Sequence, residues 1–195
     1  MVWLIPRPRQ ARPKVPNEPF HVFYPLAVFV HVVGVMALVG MSGLEWAILH
    51  HLRRESEPSQ VTAALSTLGK GQRLIAIGVP LLLLSGFYLV WAAWAWTTPW
   101  ILTGVVSMVV LGFLGGKVTG QRMGALISSE GANLEAHLPA MWTSFMIRAS
   151  VLVAAVIVTC AKPGHMGSVA ALAIAIVAGW LLSRGKSEPA SAAGS

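Results

Sequence analysis

The chain has 195 residues, 55% of them hydrophobic and only 11% charged, against roughly 25% charged in an ordinary soluble domain, so it cannot clothe a water-facing surface. Its 14 Lys and Arg against 7 acidic residues leave a net charge of +7, but these cations fall in short clusters between long apolar runs rather than on one solvated face, which excludes a nucleic-acid partner. Every acid is Glu and Cys160 is the single cysteine, which excludes a disulfide framework, a Cys-rich zinc site and an iron–sulfur centre held by one chain.

In chain order, residues 1–19 form a basic, proline-rich tail carrying Arg7, Arg9, Arg12 and Lys14. It lacks the apolar stretch of a signal peptide and is expected to stay. A membrane helix needs about 20 mostly apolar residues, and five stretches meet or approach that length. The first runs from Phe20 to Leu49 and the second from Leu74 to Trp96. The third covers Trp100 to Val118, the fourth Trp142 to Cys160, and the fifth Met166 to Leu182. Pro99 and Pro163 mark tight hairpins between the second and third and between the fourth and fifth spans, because proline stops a helix at the residue before it.

Between the first two spans, Ser56 can cap a helix with Glu57 and Pro58 in its first turn. Val61, Ala64, Leu65 and Leu68 then share one face, predicting a short helix lying at the membrane interface. The stretch from Gly120 to Pro139 is less regular, with Gly131 and Pro139 as breakers. The expected fold is therefore all-α: a bundle of about five transmembrane helices with that interfacial helix between the first and second. Residues 20–163 form a four-helix core, 164–184 an added fifth helix, and 185–195 a polar tail.

Eight cations lie beside one set of span ends (Arg53, Arg54, Lys70, Arg73, Lys117, Arg122, Arg184 and Lys186), and five beside the other (the four in the tail and Lys162). The positive-inside rule then puts the first set in the cytoplasm of a bacterial inner membrane, with the N-terminus outside and the C-terminus inside.

Gly104, Gly112, Gly116, Gly120 and Gly124 line the third span, the last four at intervals of four. A stripe without side chains lets another backbone approach closely in lipid, so tight packing within the chain is expected there, with a dimer contact or a bound pigment as alternatives. Trp91, Trp94, Trp96 and Trp100 cluster at the second hairpin, as an aromatic belt at the headgroup level would.

Ionisable side chains within the hydrocarbon cost about 2.5 to 3.5 kcal/mol each by insertion scales, so His31, Glu45 and Arg148 stand out. Glu45 and Arg148 sit at matching depths and are expected to form an ion pair joining the first and fourth spans, with Arg73 as competitor. His31 offers an imidazole either for a hydrogen bond to a neighbouring helix or as a ligand for a metal or haem iron. Met36, Met41 and Met108 are the candidate sixth ligands, although methionine usually fills gaps. No phosphate loop, catalytic triad, paired carboxylates or metal-ligand cluster is present in the sequence, so no residue is assigned a catalytic role.

The segments HVVGVMALVG, HLRRESEPSQVTAAL, RLIAIGVPLLLLSGFYLV, TTPWILTG and VTCAKPG together resemble a family of bacterial integral membrane proteins catalogued as domain of unknown function 2269. The resemblance covers roughly Phe20 to Pro163. That family is similar in layout to copper-resistance D-like proteins and, more distantly, to haem-associated membrane protoporphyrinogen oxidases, four-helix bundles with a histidine in the first helix. His31 matches that histidine, and Lys162 with Pro163 matches the lysine–proline that ends the fourth helix. The fifth span and basic tail depart from the pattern and suggest a surface for a partner. The function expected is a non-catalytic accessory or scaffold subunit of a larger bacterial membrane complex, respiratory or photosynthetic, whose partners are the bilayer and other membrane subunits. The alternatives are a small haem-binding redox protein or porphyrin oxidase using His31, with haem as its cofactor, and a carrier for copper or another small solute.

Overall fold

The computed structural model describes residues 20–54, 58–129 and 133–184, which are helical apart from short turns, with no strand among them. The helices are α1 (Phe20–Leu52), α2 (Pro58–Ala93), α3 (Pro99–Phe113), α4 (Gln121–Ser128), α5 (Leu134–Ala161) and α6 (His165–Arg184), with a π-helical stretch, Leu114–Gly120, joining α3 to α4. Five helical segments are long and apolar enough to cross a membrane, the third made of α3, the π stretch and α4 together. The protein is an all-α helical bundle with the makeup of a multi-pass membrane protein. One end carries the α1–α2 and α4–α5 connections and the end of α6; it is called the basic end here, and the other, bearing Trp94, Trp96, Trp100 and Lys162, the tryptophan end.

The segment expected as a separate interfacial helix is instead the beginning of α2, which runs unbroken for 36 residues. Gly69 and Gly71 weaken the helix between Leu68 and Leu74 without ending it, and α1 extends past its apolar run to meet it. Val61, Leu65 and Leu68 bury against Ile48, Leu49 and Leu52 in a cluster that also takes in Met123, Leu126, Met141, Trp142 and Phe145. The third span likewise continues beyond Val118 to Ser128, and Pro139 lies within α5 without ending it. Early in a helix a proline sacrifices only a bond near the helix end. The capping role read for Ser56 and Glu57, the breaker at Gly131, both tails and the side chain of Arg73 lie outside the described residues.

Two turns have sharper causes. Thr98 is extended and Pro99 opens α3, where a missing N–H costs nothing and φ is already set. At the end of α5, Lys162 adopts a left-handed conformation with φ 48°, and its N–H donates to the Val158 carbonyl at 2.8 Å. That position usually belongs to glycine, and Pro163 follows to bar further helix.

α1 packs chiefly on α2, and α6 on α5, while α3 packs on α5 and α6. The closest approach to another helix's backbone is at Gly179 of α6, where a Cβ would lie 2.6 Å from the Ile147 Cα and 2.7 Å from the Met146 carbonyl oxygen of α5. Only glycine fits there.

Candidate functional site: a polar seam and a histidine within the spans

Glu45 on α1 and Arg148 on α5 meet as a two-toothed pair: Nη1 donates to Oε2 at 3.0 Å and Nη2 to Oε1. Both side chains are largely buried, at 5% and 13% exposure respectively. Nη2 also donates to Thr119 Oγ1 at 3.0 Å. Thr119 Oγ1 lies 3.1 Å from Ser144 Oγ, which donates to the Leu114 carbonyl at 3.2 Å. The seam thus ties α1, the third span and α5 together through charge-assisted bonds, the strong kind. Arg148 Nε is buried without a hydrogen-bond partner among the described residues.

Thr119 and Ser144 were not singled out from the sequence. Ser144 stands four residues before Arg148, hence on the same helical face, and that spacing was the available signal. Thr119 had none, because the π stretch adds a residue to the turn and rotates everything after it relative to an α-helical register. Gly115 and Gly116 within that stretch leave the backbone room to widen, and the Arg148 guanidinium passes over Gly115, 3.6 Å from where a Cβ would stand.

His31 sits level with Leu82, near the middle of the apolar part of α2. Its Nδ1 is 3.2 Å from the Leu82 carbonyl and 3.4 Å from Ser85 Oγ, and the Ser85 hydroxyl donates to the same carbonyl at 3.0 Å. A carbonyl only accepts, so Nδ1 is the donor in this contact, and in the neutral ring that leaves the lone pair on Nε2. The ring lies against Gly86, where a Cβ would come 3.1 Å from Cε1. Of the candidate sixth ligands, Met36 is exposed and Met41 lies over Gly71 of α2. Among the described residues no group of three or more His, Cys, Asp or Glu could hold a metal ion.

The glycine stripe of the third span is open. A Cβ built at Gly104, Gly112, Gly116 or Gly124 meets nothing within 4 Å, and only Gly120 has neighbours, the Gly115 carbonyl at 3.3 Å and Gln72 at 3.8 Å. The close packing expected along it within the chain falls instead at Gly179, while α3 meets α5 and α6 through the side where Ile101, Thr103 and Ser107 are buried.

At the tryptophan end, Trp94 and Trp100 meet edge to face at 5.0 Å, with the Lys162 ammonium 4.8 Å and 5.8 Å from their centres. Trp96 packs on Phe87, and Trp91 is exposed.

The seam can hold helices in place and neutralise two charges. It presents no nucleophile beside a base. Set against known protein families, curated proteins and solved structures, the chain matches none.

Proposed function

We propose that the protein is a non-catalytic accessory or scaffold subunit of a larger bacterial inner-membrane complex, of the respiratory or photosynthetic kind. Its basic end would face the cytoplasm, since Arg53, Arg54, Lys70, Lys117, Arg122 and Arg184 lie there. The observation that carries this reading is the open glycine stripe of the third span, flanked by exposed Val109 and Phe113. Helices in lipid associate through such faces, and the described residues leave this one uncovered at Gly112, Gly116 and Gly124. The test is purification of tagged protein from its native membrane in mild detergent. The parent should carry defined membrane subunits in fixed ratio, and Gly112→Leu and Gly116→Leu should lose them at least tenfold while folding normally. A stable isolated monomer would overturn the proposal.

A second reading is favoured by His31 alone. With Nδ1 held by the Leu82 carbonyl, Nε2 has no partner among the described residues, the arrangement that prepares an imidazole for a metal. His31 would hold a haem iron through Nε2, with Leu82 and Ser85 orienting the ring, and the group would supply one-electron chemistry there. A Soret band in the purified protein, lost in His31→Ala, is the expected sign, and a colourless preparation after haem supplementation ends this reading.

A further inference from the structure

Between α1 and α2 runs a groove of about 260 Å³ lined entirely by apolar residues, among them Ala37 and Met41 on α1 and Leu74, Ile75 and Leu82 on α2. It exists because Gly40 and Gly78 carry no side chains, and a Cβ at either would meet open space. Its volume is below the roughly 300–1,000 Å³ of ordinary ligand pockets, so it suits one slim flexible chain better than a ring system.

The lining positions Leu74, Gly78 and Leu82 are spaced by four, and one turn back on the same face stands Lys70. That lysine is exposed, with no ionic or hydrogen-bonding partner among the described residues. From Lys70 to Leu82 the helix rises about 18 Å, close to the roughly 15 Å depth of one leaflet's hydrocarbon. The groove therefore runs from an exposed cation at the membrane surface to the middle of the bilayer. The nearest acid across on α1 is Glu45, beyond Leu44, which approaches Gly71. Its charge is already matched by Arg148, so Lys70 keeps its positive field for another partner.

We infer that the α1–α2 groove is a binding site for an anionic phospholipid of the leaflet at the basic end, one acyl chain lying along Gly78 and the headgroup phosphate on Lys70. The groove supplies the shape and Lys70 the preference for negative charge.

The full-length chain, stripped of lipid in detergent, is titrated with phosphatidylglycerol or phosphatidylcholine of equal chain length, and bound lipid is counted by native mass spectrometry. One phosphatidylglycerol should bind about fivefold more tightly than phosphatidylcholine, as expected for a single lysine near an anionic headgroup. Lys70→Gln should erase that preference and leave phosphatidylcholine binding unchanged. Lys117→Gln, which removes an exposed cation at the same end but away from the groove, should leave it intact. Gly78→Leu should fill the groove and lose both lipids, whereas Gly164→Leu, also at an open position but outside the groove, should bind like the parent. Equal affinity of the parent for the two lipids, equal weakening by Lys117→Gln, or lipid retained by folded Gly78→Leu would each overturn the inference. The Lys70→Gln arm changes only an exposed side chain and remains decisive if Gly78→Leu fails to fold.

Discussion

The two ends of the molecule are held together by different forces. At the basic end α1, α2, α4 and α5 share a cluster in which Leu49, Leu65, Leu126 and Met141 are essentially shut off. At the tryptophan end α1 and α2 lean mainly on each other, and Phe23, Leu26 and Phe29 are exposed. α2 and α3, although joined by a short turn, hardly touch. The difference follows the solvent. Residues 48–52 and 61–68 lie beyond the most apolar parts of their helices, where water makes burial favourable. Within lipid an exposed phenylalanine costs nothing, and helices cohere only through close packing, polar pairs and rings at the headgroup level. Such a division makes the basic end the anchor of the bundle and leaves the opposite half free to meet lipid or protein.

The largest effect should come from breaking the seam next to that anchor. A guanidinium cannot shed its charge, so Glu45→Met strands Arg148 among apolar helices at a cost of about 3–5 kcal/mol. The double variant Glu45→Met with Arg148→Met should regain most of that loss, since replacing both partners of a buried pair is often neutral. Thermal unfolding in detergent measures it. A double variant no more stable than the single one would show that the seam holds the ends together by more than charge matching. Next, Leu49→Ala in the anchor should cost about 2–5 kcal/mol, whereas Phe29→Ala toward the tryptophan end should stay within about 0.5 kcal/mol. Equal losses would remove the distinction between the two ends.

How much of this was legible in the sequence depends on whether a feature lives in one helix or between two. The spans are readable from apolar length alone, because the bilayer sets that length. Their ends are not, since Gly69, Gly71 and Pro139 are breakers only when packing does not hold the helix straight around them. Glu45 and Arg148 can be matched from sequence because charged residues within the spans are so few. Thr119 could not be added to them, as its position depends on the extra residue of the π turn. The spacing of Gly112, Gly116, Gly120 and Gly124 announces a smooth face but is silent on what covers it. Gly179, the glycine on which α5 and α6 depend, stands alone in AIAIVAGW with no repeat to mark it.

That last contrast can be tested directly. Gly179→Ala forces a methyl into the backbone of α5 and should cost about 1–3 kcal/mol, the range for overpacking. Gly112→Ala, facing open space, should be neutral or slightly stabilising through helix propensity. If both are neutral in an unfolding titration, α6 is not locked on α5 and the fifth span is a loose addition.

The smallest effect separates two contributions at the tryptophan end. Lys162 pays for its left-handed backbone, roughly 1–2 kcal/mol for a residue with a Cβ, and offsets part of it through the faces of Trp94 and Trp100, a contact worth about 0.5–1 kcal/mol where exposed. Lys162→Ala keeps the strain and loses the contact, so it should destabilise by about 0.5–1 kcal/mol. Lys162→Gly loses the contact and relieves the strain, leaving stability near that of the parent or above it. If glycine is instead the worse of the two, the ammonium over the tryptophans is what sets the α5–α6 turn, and the tryptophan end is clamped as firmly as the basic end is packed.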